Sequence, residues 1–448
     1  MIPGHSAKTG QADAPPSRVR YGVLAWLCAA ALIAYVCRNS IAVAESSIRT
    51  DLELKSLTIL GLVELTPDDQ MGWAMGAFFL TYAVLQLPTG WLGHVWGSRR
   101  ALPFFALLWS AMTGLMALAG GLPLLLLARL GNGGAQAGIF PCTTATVARW
   151  FPLTRRALPN GFLASAMAVG AALGAALTAR LLPCLGWRGV FALYSLPGIA
   201  WAVLFFLWFR DRPQEHPLVN AGELALLGAS PAEPEPRREP IPWAAILTSS
   251  AMWWIAGQQF FRAAGLIFFY SWFPTFLQRT RGVSLAQAGD LTSLPLLATV
   301  LGSLAGGQLS DWVMSRTRSR RLSRQGVAAG SLTLCALLSV LAFGIEQVQL
   351  AVAVISAGMF CAALAGPCAY CITIDLGGQH VTTVFSVMNM AGNVGAFLFP
   401  IVVPRLVSWR GWDEVYFLFV GIYLAAALCW LLLKPHGPLF ARPTSSER

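Results

Sequence analysis

Three arginines stand inside long apolar stretches of this sequence: Arg38, Arg129 and Arg262. A charged side chain at the centre of a membrane helix costs about 2.5–3.5 kcal/mol, so such residues normally face a cavity or a partner. A guanidinium stays ionised and offers a planar fork of donors that matches a carboxylate or a phosphate. Three of them around one hydrated cavity would form an anion-binding site.

A second interpretation of these arginines is structural. Each could be neutralised by a buried carboxylate, bond to carbonyl groups of a neighbouring helix, or extend toward the headgroups. The predicted spans hold no Asp or Glu near mid-membrane, because Asp290, Asp311 and Asp375 lie at or near helix ends. Glu45 shares a helix face with Arg38, two turns away, but lies near the external end. Both interpretations stay open at the level of the sequence.

Polar side chains accompany the arginines at helical spacing. Tyr35 lies one turn before the first arginine, and Gln259 lies one turn before the third. Asn389 and Asn393 are four residues apart and share a helix face. Each could contact the same ligand as the arginines. Ordinary packing is the alternative, because polar stripes also hold membrane helices together.

The elements that must position these residues follow from composition. The chain has 448 residues, of which 56% are hydrophobic and 11% are charged, whereas soluble domains carry roughly 25% charged residues. Apolar runs of about 20 residues, the length that crosses a bilayer core, recur along the chain. Because backbone groups in lipid need internal partners, these runs predict an all-α membrane protein with twelve transmembrane helices in two six-helix bundles. The predicted spans are 22–44, 71–93, 100–119, 122–148, 157–183, 187–209, 247–277, 285–313, 326–345, 348–374, 380–406 and 412–433.

A polar stretch divides the predicted helices into two groups. We predict a disordered cytoplasmic tail over 1–20, a six-helix bundle over 21–209, a cytoplasmic linker over 210–243, a second bundle over 244–434 and a cytoplasmic tail over 435–448. The linker contains the run PAEPEPRREPIP, which is too polar for lipid and too rich in proline for a regular helix.

The net charge of +11 invites a nucleic-acid interpretation, but its distribution favours a membrane. With both termini inside, Lys and Arg concentrate in the cytoplasmic segments, which is the positive-inside bias. The arginine-rich run 316–324 is then a topology anchor. We therefore expect the lipid bilayer as a partner and no nucleic acid.

The two groups of helices echo each other. The pattern G-x-L-x-[HD]-x-x-x-S-R occurs once in each half, with its defined positions at Gly90, His94 and Arg99 and at Gly307, Asp311 and Arg316. Two repeated six-helix units around an axis normal to the membrane suit alternating access, because the halves can rock around a site between them. A tight helix turn with a basic anchor is the structural alternative for the first copy.

These segments resemble the major facilitator superfamily, in which the repeated pattern forms the loops between helices 2 and 3 and helices 8 and 9. In that family a carboxylate after the glycine contacts a helix end and holds the cytoplasmic side closed in the outward-open state. The resemblance therefore implies gating roles for the six pattern residues. The second copy keeps Asp311, whereas His94 replaces the carboxylate in the first.

Further segments resemble the anion:cation symporter branch, which includes bacterial hexuronate, galactonate and glucarate transporters and vesicular glutamate and sialic acid transporters. The resemblance implies that Arg38 binds a substrate carboxylate, that Arg129 belongs to a coupling network, and that Arg262 corresponds to a helix-7 arginine of the vesicular members. It also favours the inner membrane of a bacterial cell. The segments that carry it are Tyr35-Val-Cys-Arg38, Arg129-Leu-Gly, Ala-Gly-Ile-Phe-Pro141, Trp150-Phe-Pro, Gly186-Trp-Arg-Gly-Val-Phe191, Tyr270-Ser-Trp-Phe-Pro274 and Asn389-Met-Ala-Gly-Asn393.

Two positions depart from the proton-coupled members of that branch. Cys37 stands where they have an aspartate, and Gln136 stands where they have a glutamate. An amide does not titrate, and a buried thiol is a poor substitute for a carboxylate. Uncoupled diffusion or anion exchange therefore competes with symport through Glu45, His94 or an alkali cation.

The sequence thus predicts a secondary transporter, not an enzyme, that moves a small organic anion such as a sugar acid or another carboxylate by alternating access. We expect a monomer without a cofactor. We also expect no metal site, because the C-x-x-C at Cys368 and Cys371 lacks a second pair of ligands. Organophosphate exchange and a non-transporting membrane sensor are the alternatives. The expected substrate contacts are Tyr35, Arg38, Arg129, Gln136, Gln259, Arg262, Asn389 and Asn393.

Overall fold

The computed structural model describes residues 15–59, 63–152, 157–227, 243–377 and 381–433. Within these ranges the chain forms twelve helical spans, α1–α12, as the sequence predicts. Nine of the described helices are individually long and apolar enough to cross a bilayer, and a bent pair adds a tenth. One further span arises because the helix Ala157–Trp208 is divided in two at Gly186. The last is formed by two short consecutive helices, Leu122–Ala137 and Ile139–Trp150.

The first six spans are α1 (Val19–Asp51), α2 (Pro67–Trp96), α3 (Ser98–Ala117), α4 (Leu122–Ala137 with Ile139–Trp150), and α5 and α6, which share the helix Ala157–Trp208. The last six are α7 (Ser250–Tyr270 with Phe273–Arg281), α8 (Leu285–Thr317), α9 (Leu322–Gly326 with Val327–Phe343), α10 (Val348–Gly377), α11 (Val381–Arg410) and α12 (Trp412–Leu432). An antiparallel hairpin, β1 (Leu57–Ile59) and β2 (Val63–Leu65), joins α1 to α2. Shorter helices at Pro213–Glu215, Ala221–Leu227 and Trp243–Thr248 lie between α6 and α7.

Local backbone chemistry divides the irregular spans. Gly186 has φ 63° and ψ 169°, a conformation that suits glycine because it has no Cβ. It separates α5 (157–185) from α6 (187–208). The two segments of α7 meet at an angle of 58°, and Pro274 stands in the first turn of the second segment. Proline favours that position because the first turn of a helix leaves its N–H groups unpaired.

Glycine spacing brings α5 directly against α1. A Cβ on Gly170 would collide with the backbone oxygen of Leu32, and a Cβ on Gly174 would lie 3.2 Å from the Cα of Val36. Small residues four apart allow this close approach of two helix backbones. The contact fixes the part of α1 that carries Tyr35 and Arg38.

The two halves meet along two seams, α2 with α11 and α5 with α8. We call the end of the bundle that holds the start of α1 and the end of α12 the proximal end, and the opposite end the distal end. Toward the distal end, a Cβ on Gly76 would stand 2.7 Å from the backbone oxygen of Phe397, and one on Gly289 would stand 2.9 Å from that of Ala175. The distal end is therefore closed by direct contact between helix backbones.

The chain after α6 folds back onto the start of α1. Glu223, which is fully buried, accepts hydrogen bonds from the backbone N–H groups of Val19 and Arg20 and from the hydroxyl of Ser17. Its carboxylate also pairs with the Arg20 guanidinium at 2.9 Å. A carboxylate at a helix N-terminus satisfies unpaired N–H groups and complements the helix dipole.

The contact with Glu223 changes the predicted extent of the disordered N-terminal tail. Within 1–20, the prediction of disorder is wrong for 17–20, because Ser17 bonds to Glu223, Arg18 is the N-cap residue of α1, and Val19 and Arg20 belong to that helix. Residues 213–227 of the predicted linker carry two short helices. The Pro- and Glu-rich run and the predicted tail 435–448 lie outside the described residues.

Candidate functional site

Arg38 lies on α1 inside a box of aromatic rings. Its guanidinium carbon is 4.4 Å from the ring centroids of Tyr35 and Phe78 and 4.8 Å from that of Tyr82. Its side chain donates from Nε to Oε1 of Gln136 at 3.2 Å. The terminal nitrogens form no hydrogen bond to a carboxylate or carbonyl oxygen in the described part of the chain. These donors therefore remain for a ligand.

Gln136 on α4 is fixed on both sides of its amide. Its oxygen accepts from Arg38, while its nitrogen donates to the carbonyl oxygen of Ala34 at 3.2 Å and to Oδ1 of Asn132 at 2.8 Å. Since the amide is neutral, it orients the guanidinium without cancelling its charge. The predicted site residue Gln136 thus lies next to Arg38.

Arg129, also on α4, is only 1% exposed and bonds to backbone carbonyl groups. Nε donates to Ala74 at 3.0 Å, Nη2 to Met75 at 3.3 Å and Nη1 to Arg38 at 3.3 Å. The guanidinium carbon lies 5.1 Å from the ring centroid of Phe78. Arg129 thus bonds to carbonyl groups of neighbouring helices, which is the structural interpretation of the buried arginines. Arg129 connects α4 to α1 and α2 on the distal side of the aromatic rings around Arg38.

Arg262 occupies the second half. Its Nε and Nη2 donate to Oε1 of Gln259 at 3.3 and 2.9 Å. Nη1 lies near Gly366 on α10: a Cβ built on this glycine would stand 4.0 Å from Nη1 and 4.0 Å from the Ser303 hydroxyl on α8. In the described residues Nη1 has no hydrogen-bond partner, so Arg262 also keeps donors for a ligand.

Two tyrosines of the second half connect the arginines. Tyr270 on α7 lies within electrostatic range of Tyr35 and Arg38. Tyr370 on α10 lies within electrostatic range of Arg262 and Tyr35. Tyr35 of the first half is thus an electrostatic neighbour of both Tyr270 and Tyr370, which places tyrosines of both halves around Arg38 and Arg262.

Tyr82, Tyr270 and Tyr370 are not among the site residues predicted from the sequence. The chain has only eight tyrosines, and these three together with Tyr35 surround the two arginines. The sequence alone does not distinguish them from the other four tyrosines, because only the packing of the helices brings them to the arginines. Tyr370 is 49% exposed although its ring stacks on Phe385, so open space adjoins the site.

A thin layer of contacts joins the two halves on the proximal side of the site. Asn389 donates to Oε1 of Gln86 across the halves at 2.8 Å, and the rings of Phe140 and Phe385 stack at 6.3 Å. Gln86 and Phe140 lie one helical turn proximal to Tyr82 and Gln136 respectively. The second predicted amide, Asn393, donates to the carbonyl oxygen of Asn389 at 3.0 Å. Asn389 thus belongs to the proximal layer, whereas Asn393 bonds to the backbone of its own helix.

Among the described residues, no carboxylate lies within ion-pair distance of the three arginines. Glu45, the acidic residue on the face of Arg38, is bound at the distal end by Arg49 and Thr275. Two cationic side chains without acidic partners leave a net positive site between the halves. Such a site attracts anions.

Ion pairs between the halves reinforce the distal closure. They join α2 to α7 and α11, and α5 to α8. The pairs are Asp68 with Arg279 at 2.6 Å, Asp69 with Arg405 at 3.0 Å, and Arg180 with Asp290 at 2.8 Å.

The first copy of the repeated pattern forms the turn between α2 and α3. Gly97 has φ 75°, and the backbone N–H of Arg99 donates to Asp211 at 3.1 Å. Asp211 also lies 3.7 Å from Arg149. His94 is exposed. Asp211, which is not among the residues predicted from the sequence, therefore supplies a carboxylate to this turn from just beyond the end of α6.

Part of the second copy forms a separate charged group within the second half. Asp311, whose side chain is 84% exposed, lies 4.0 Å from Arg324, which is 3.8 Å from Asp375. Arg316 is exposed, and a Cβ on Gly307 would meet no atom within 4 Å. The gating roles of the six pattern residues stay predictions, as do the substrate contacts.

Comparison with known proteins adds a family and a set of relatives. The family model described as Major Facilitator Superfamily matches residues 27–320 and 259–447. The chain is 28% identical over 424 residues to a protein named probable sulfoacetate transporter SauU of Cupriavidus necator, covering 93% of this chain and 94% of that protein. It is 28% identical to the probable galactarate/D-glucarate transporter GudP of Bacillus subtilis, covering 94% and 92%. It is 26% identical to the hexuronate transporter of Bacillus subtilis, covering 96% and 98%.

A solved structure supports the fold. The chain superposes with a TM-score of 0.70 on a bacterial homolog of the human lysosomal transporter Spinster, in an inward-facing and unoccupied conformation. The two share 18% sequence identity, and the match covers 93% of this chain and 95% of the other.

Proposed function

The chain belongs to the major facilitator superfamily and is a secondary transporter of small organic anions, and we propose that it carries a compact dianion between Arg38 and Arg262. One observation carries this proposal. Two partly desolvated guanidinium groups, one from each half, have tyrosines of both halves around them and no carboxylate partner among the described residues. A ligand with two anionic groups would neutralise both.

The aromatic box favours a planar anionic group on Arg38. Rings of Tyr35, Phe78 and Tyr82 cover the guanidinium, so its donors point outward along its edge. A carboxylate or sulfonate would accept two parallel hydrogen bonds there. Gln136 would act as a positioning residue for Arg38, and Arg129 would hold the surrounding helices.

The second anionic group would meet Arg262 and the adjoining Gln259 and Tyr370. Sulfoacetate and glucarate each carry two anionic groups on a short carbon chain, and these molecules appear in the names of relatives. A ligand that bridges Arg38 and Arg262 draws the two halves together. Asn389 and Asn393 would contribute to the proximal closure around it.

We propose that the proximal end faces the cytoplasm of a bacterial cell and that both termini lie there. The support is the exposed run of Arg316, Arg318, Arg320 and Arg321 at this end, which fits the positive-inside bias. The structure then has its external end closed. Because one chain supplies both halves of the site, we expect a monomer to be active.

The two departures from proton-coupled relatives favour a site of constant charge. Cys37 donates to the carbonyl oxygen of Tyr194 at 3.4 Å and is fully buried, and Gln136 is a bonded amide. Neither group supplies a titrating carboxylate beside Arg38. We therefore expect net uptake of the substrate to be unchanged by an imposed pH gradient.

Counterflow in proteoliposomes tests the substrate class. Vesicles loaded with sulfoacetate or glucarate should accumulate the labelled compound, whereas acetate, methanesulfonate and gluconate, each with one anionic group, should compete at least about tenfold more weakly. Competition of equal strength by the single-charge compounds would contradict the dianion proposal. Stronger inhibition by inorganic phosphate would favour organophosphate exchange, and ligand binding without flux would favour a sensor.

A further inference from the structure

Glycine spacing fixes how α8 and α10 lie against each other in the second half. A Cβ on Gly302 would collide with the backbone oxygen of Phe360, and a Cβ on Gly306 would collide with that of Leu364. The two helices therefore touch backbone to backbone, as small residues four apart allow. This contact sets the register in which Ser303 of α8 lies beside α10.

Next to this contact, Gly366 on α10 leaves a niche that a side chain would otherwise fill. Among the described residues, and apart from the adjoining turns of α10, two atoms lie within 4 Å of the position that a Cβ would take. They are Nη1 of Arg262 on α7 and the hydroxyl oxygen of Ser303, each at 4.0 Å. Both groups can donate a hydrogen bond, and the guanidinium is charged. A niche bordered by these two donors suits an anionic group.

The Ser303 hydroxyl differs from the others along α8 in having no partner within the described residues. Hydroxyl side chains in helices commonly donate to a carbonyl oxygen one turn earlier. Five residues of α8 do so: Thr292, Ser293, Thr299, Ser315 and Thr317. Nη1 of Arg262 likewise has no partner in the described part of the chain. A ligand that accepts from both groups would satisfy them, and unpaired polar groups away from water cost free energy.

A structural reason for glycine at position 366 would be the proline that follows it, because a proline restricts the residue before it. Other helices of this chain do not need glycine there: Leu87, Leu294 and Phe399 each stand directly before a proline inside a helix. Packing does not require it either, since a Cβ on Gly366 would make only ordinary van der Waals contacts. Space for a ligand explains the missing side chain better than either constraint.

We propose that Arg262, Ser303 and Gly366 form a subsite that binds the second anionic group of the substrate, a carboxylate or a sulfonate. One oxygen of that group accepts from Nη1, another accepts from the serine hydroxyl, and the glycine leaves room for the group to approach. Tyr370 stands one turn after Gly366 on the same face of α10 and lies within electrostatic range of Arg262, so it borders the same subsite. This inference rests on the proposed function, because it assigns the place where the second charge of the dianion binds.

Ser303→Ala removes one of the two donors and leaves the charge of Arg262 in place. We expect KM for sulfoacetate and for glucarate to rise about tenfold in counterflow, which corresponds to about 1.4 kcal/mol. Acetate and methanesulfonate, whose single anionic group can bind at Arg38, should keep the inhibition constants that they have with the parent protein. A rise confined to one dianion would assign the subsite to sulfonates or to carboxylates. Unchanged KM for both dianions would contradict the subsite.

Gly366→Ala fills the niche while sparing the fold. The added methyl group would meet both donors at ordinary contact distance, and alanine is a better helix former than glycine. We expect KM for both dianions to rise at least about tenfold, while the thermal midpoint without substrate stays equal or rises. Loss of affinity in an equally stable protein indicates a filled binding space and not damaged packing. Parent affinity for both dianions in Gly366→Ala would overturn the proposal.

Each variant has a matched control. Ser293→Ala removes a hydroxyl of α8 that bonds to its own helix, and Gly330→Ala adds a methyl group on α9 where a Cβ would meet no atom within 4 Å. Both controls should transport sulfoacetate and glucarate with the parent KM.

Measurements on the parent protein separate this subsite from the proposed function. If the parent protein binds single-charge anions as strongly as dianions, the dianion proposal is wrong and the subsite is wrong as well. If the parent protein prefers dianions and both variants keep that preference in full, the proposed function stands and only the subsite is wrong. Equal loss of affinity for dianions and single-charge anions in the variants would also contradict the subsite, because it would indicate a change of the whole site.

Discussion

Arg38 donates a hydrogen bond from Nε to Oε1 of Gln136 at 3.2 Å, and the Gln136 amide nitrogen is bonded in turn to Ala34 and Asn132. This connection holds the guanidinium in place through a group that carries no charge. Buried amides that are satisfied on both sides are rigid. The geometry thus combines a fixed orientation with an uncompensated positive charge.

Gln136→Glu should convert this contact into an ion pair and lower anion affinity. The new carboxylate would cancel the charge of Arg38 in a partly desolvated site, where charge interactions are strong. We expect KM for the transported anion to rise about tenfold at pH 8, equal to about 1.4 kcal/mol. The defect should diminish as pH falls, because protonation restores a neutral partner. Counterflow measured between pH 5 and pH 8 checks both effects.

Gln287→Glu provides the control for that charge change. Gln287 is exposed at the start of α8, where it forms a capping box with Ser284. The same substitution there should leave KM unchanged. If Gln136→Glu has the KM of the parent protein at pH 8, then Arg38 does not act on the anion through its free charge.

Arg38→Lys should weaken substrate binding while leaving the fold intact. Lysine retains the positive charge but lacks the planar fork, the stacking against the aromatic box and the directed bond to Gln136. We expect KM to rise about 10- to 100-fold with little change in thermal stability. Arg410→Lys, an exposed arginine at the distal end, is the matched control. Uptake by Arg38→Lys that matches the control would remove Arg38 from the binding site.

Arg129→Lys should lower the stability of the fold while leaving substrate binding nearly unchanged. A lysine cannot reach the three carbonyl oxygens that Arg129 contacts on α1 and α2, and hydrogen bonds from charged groups contribute about 1.5–3 kcal/mol each. We expect the thermal midpoint to fall by several degrees while KM stays within about threefold. Thermal unfolding in detergent and counterflow measure the two quantities. A stable variant with a strongly raised KM would instead place Arg129 in the binding site.

Hydropathy and backbone chemistry made the helical architecture predictable. Runs of about 20 apolar residues fix the spans, because lipid offers no hydrogen bonds to the backbone. The start of α1 was less predictable, since its first turn depends on Glu223, about two hundred residues away in sequence. The docked segment 213–227 was missed for the same reason.

Buried charge made part of the site predictable. Arg38 and Arg262 were recognised because ionised groups in apolar runs need a reason to be there. The same argument selected Arg129, whose partners are backbone carbonyl oxygens and therefore leave no trace in the sequence. Tyr270 and Tyr370 were missed because aromatic residues are common in membrane helices, and only the arrangement of α7 and α10 brings them to the arginines.

Gly72→Val should trap the distal end open. A Cβ at this position would collide with the backbone oxygen of Pro400 on α11, and backbone cannot move aside as a flexible side chain can. The collision exists only when α2 and α11 are in contact, so it raises the energy of the closed distal end and spares the open one. We expect at least about tenfold slower counterflow with ligand binding preserved in a thermal-shift assay. Gly421→Val is the matched control, because a Cβ there would meet no atom within 4 Å, and it should transport normally. Normal counterflow by Gly72→Val would mean that the transport cycle does not require the closed α2–α11 seam seen here.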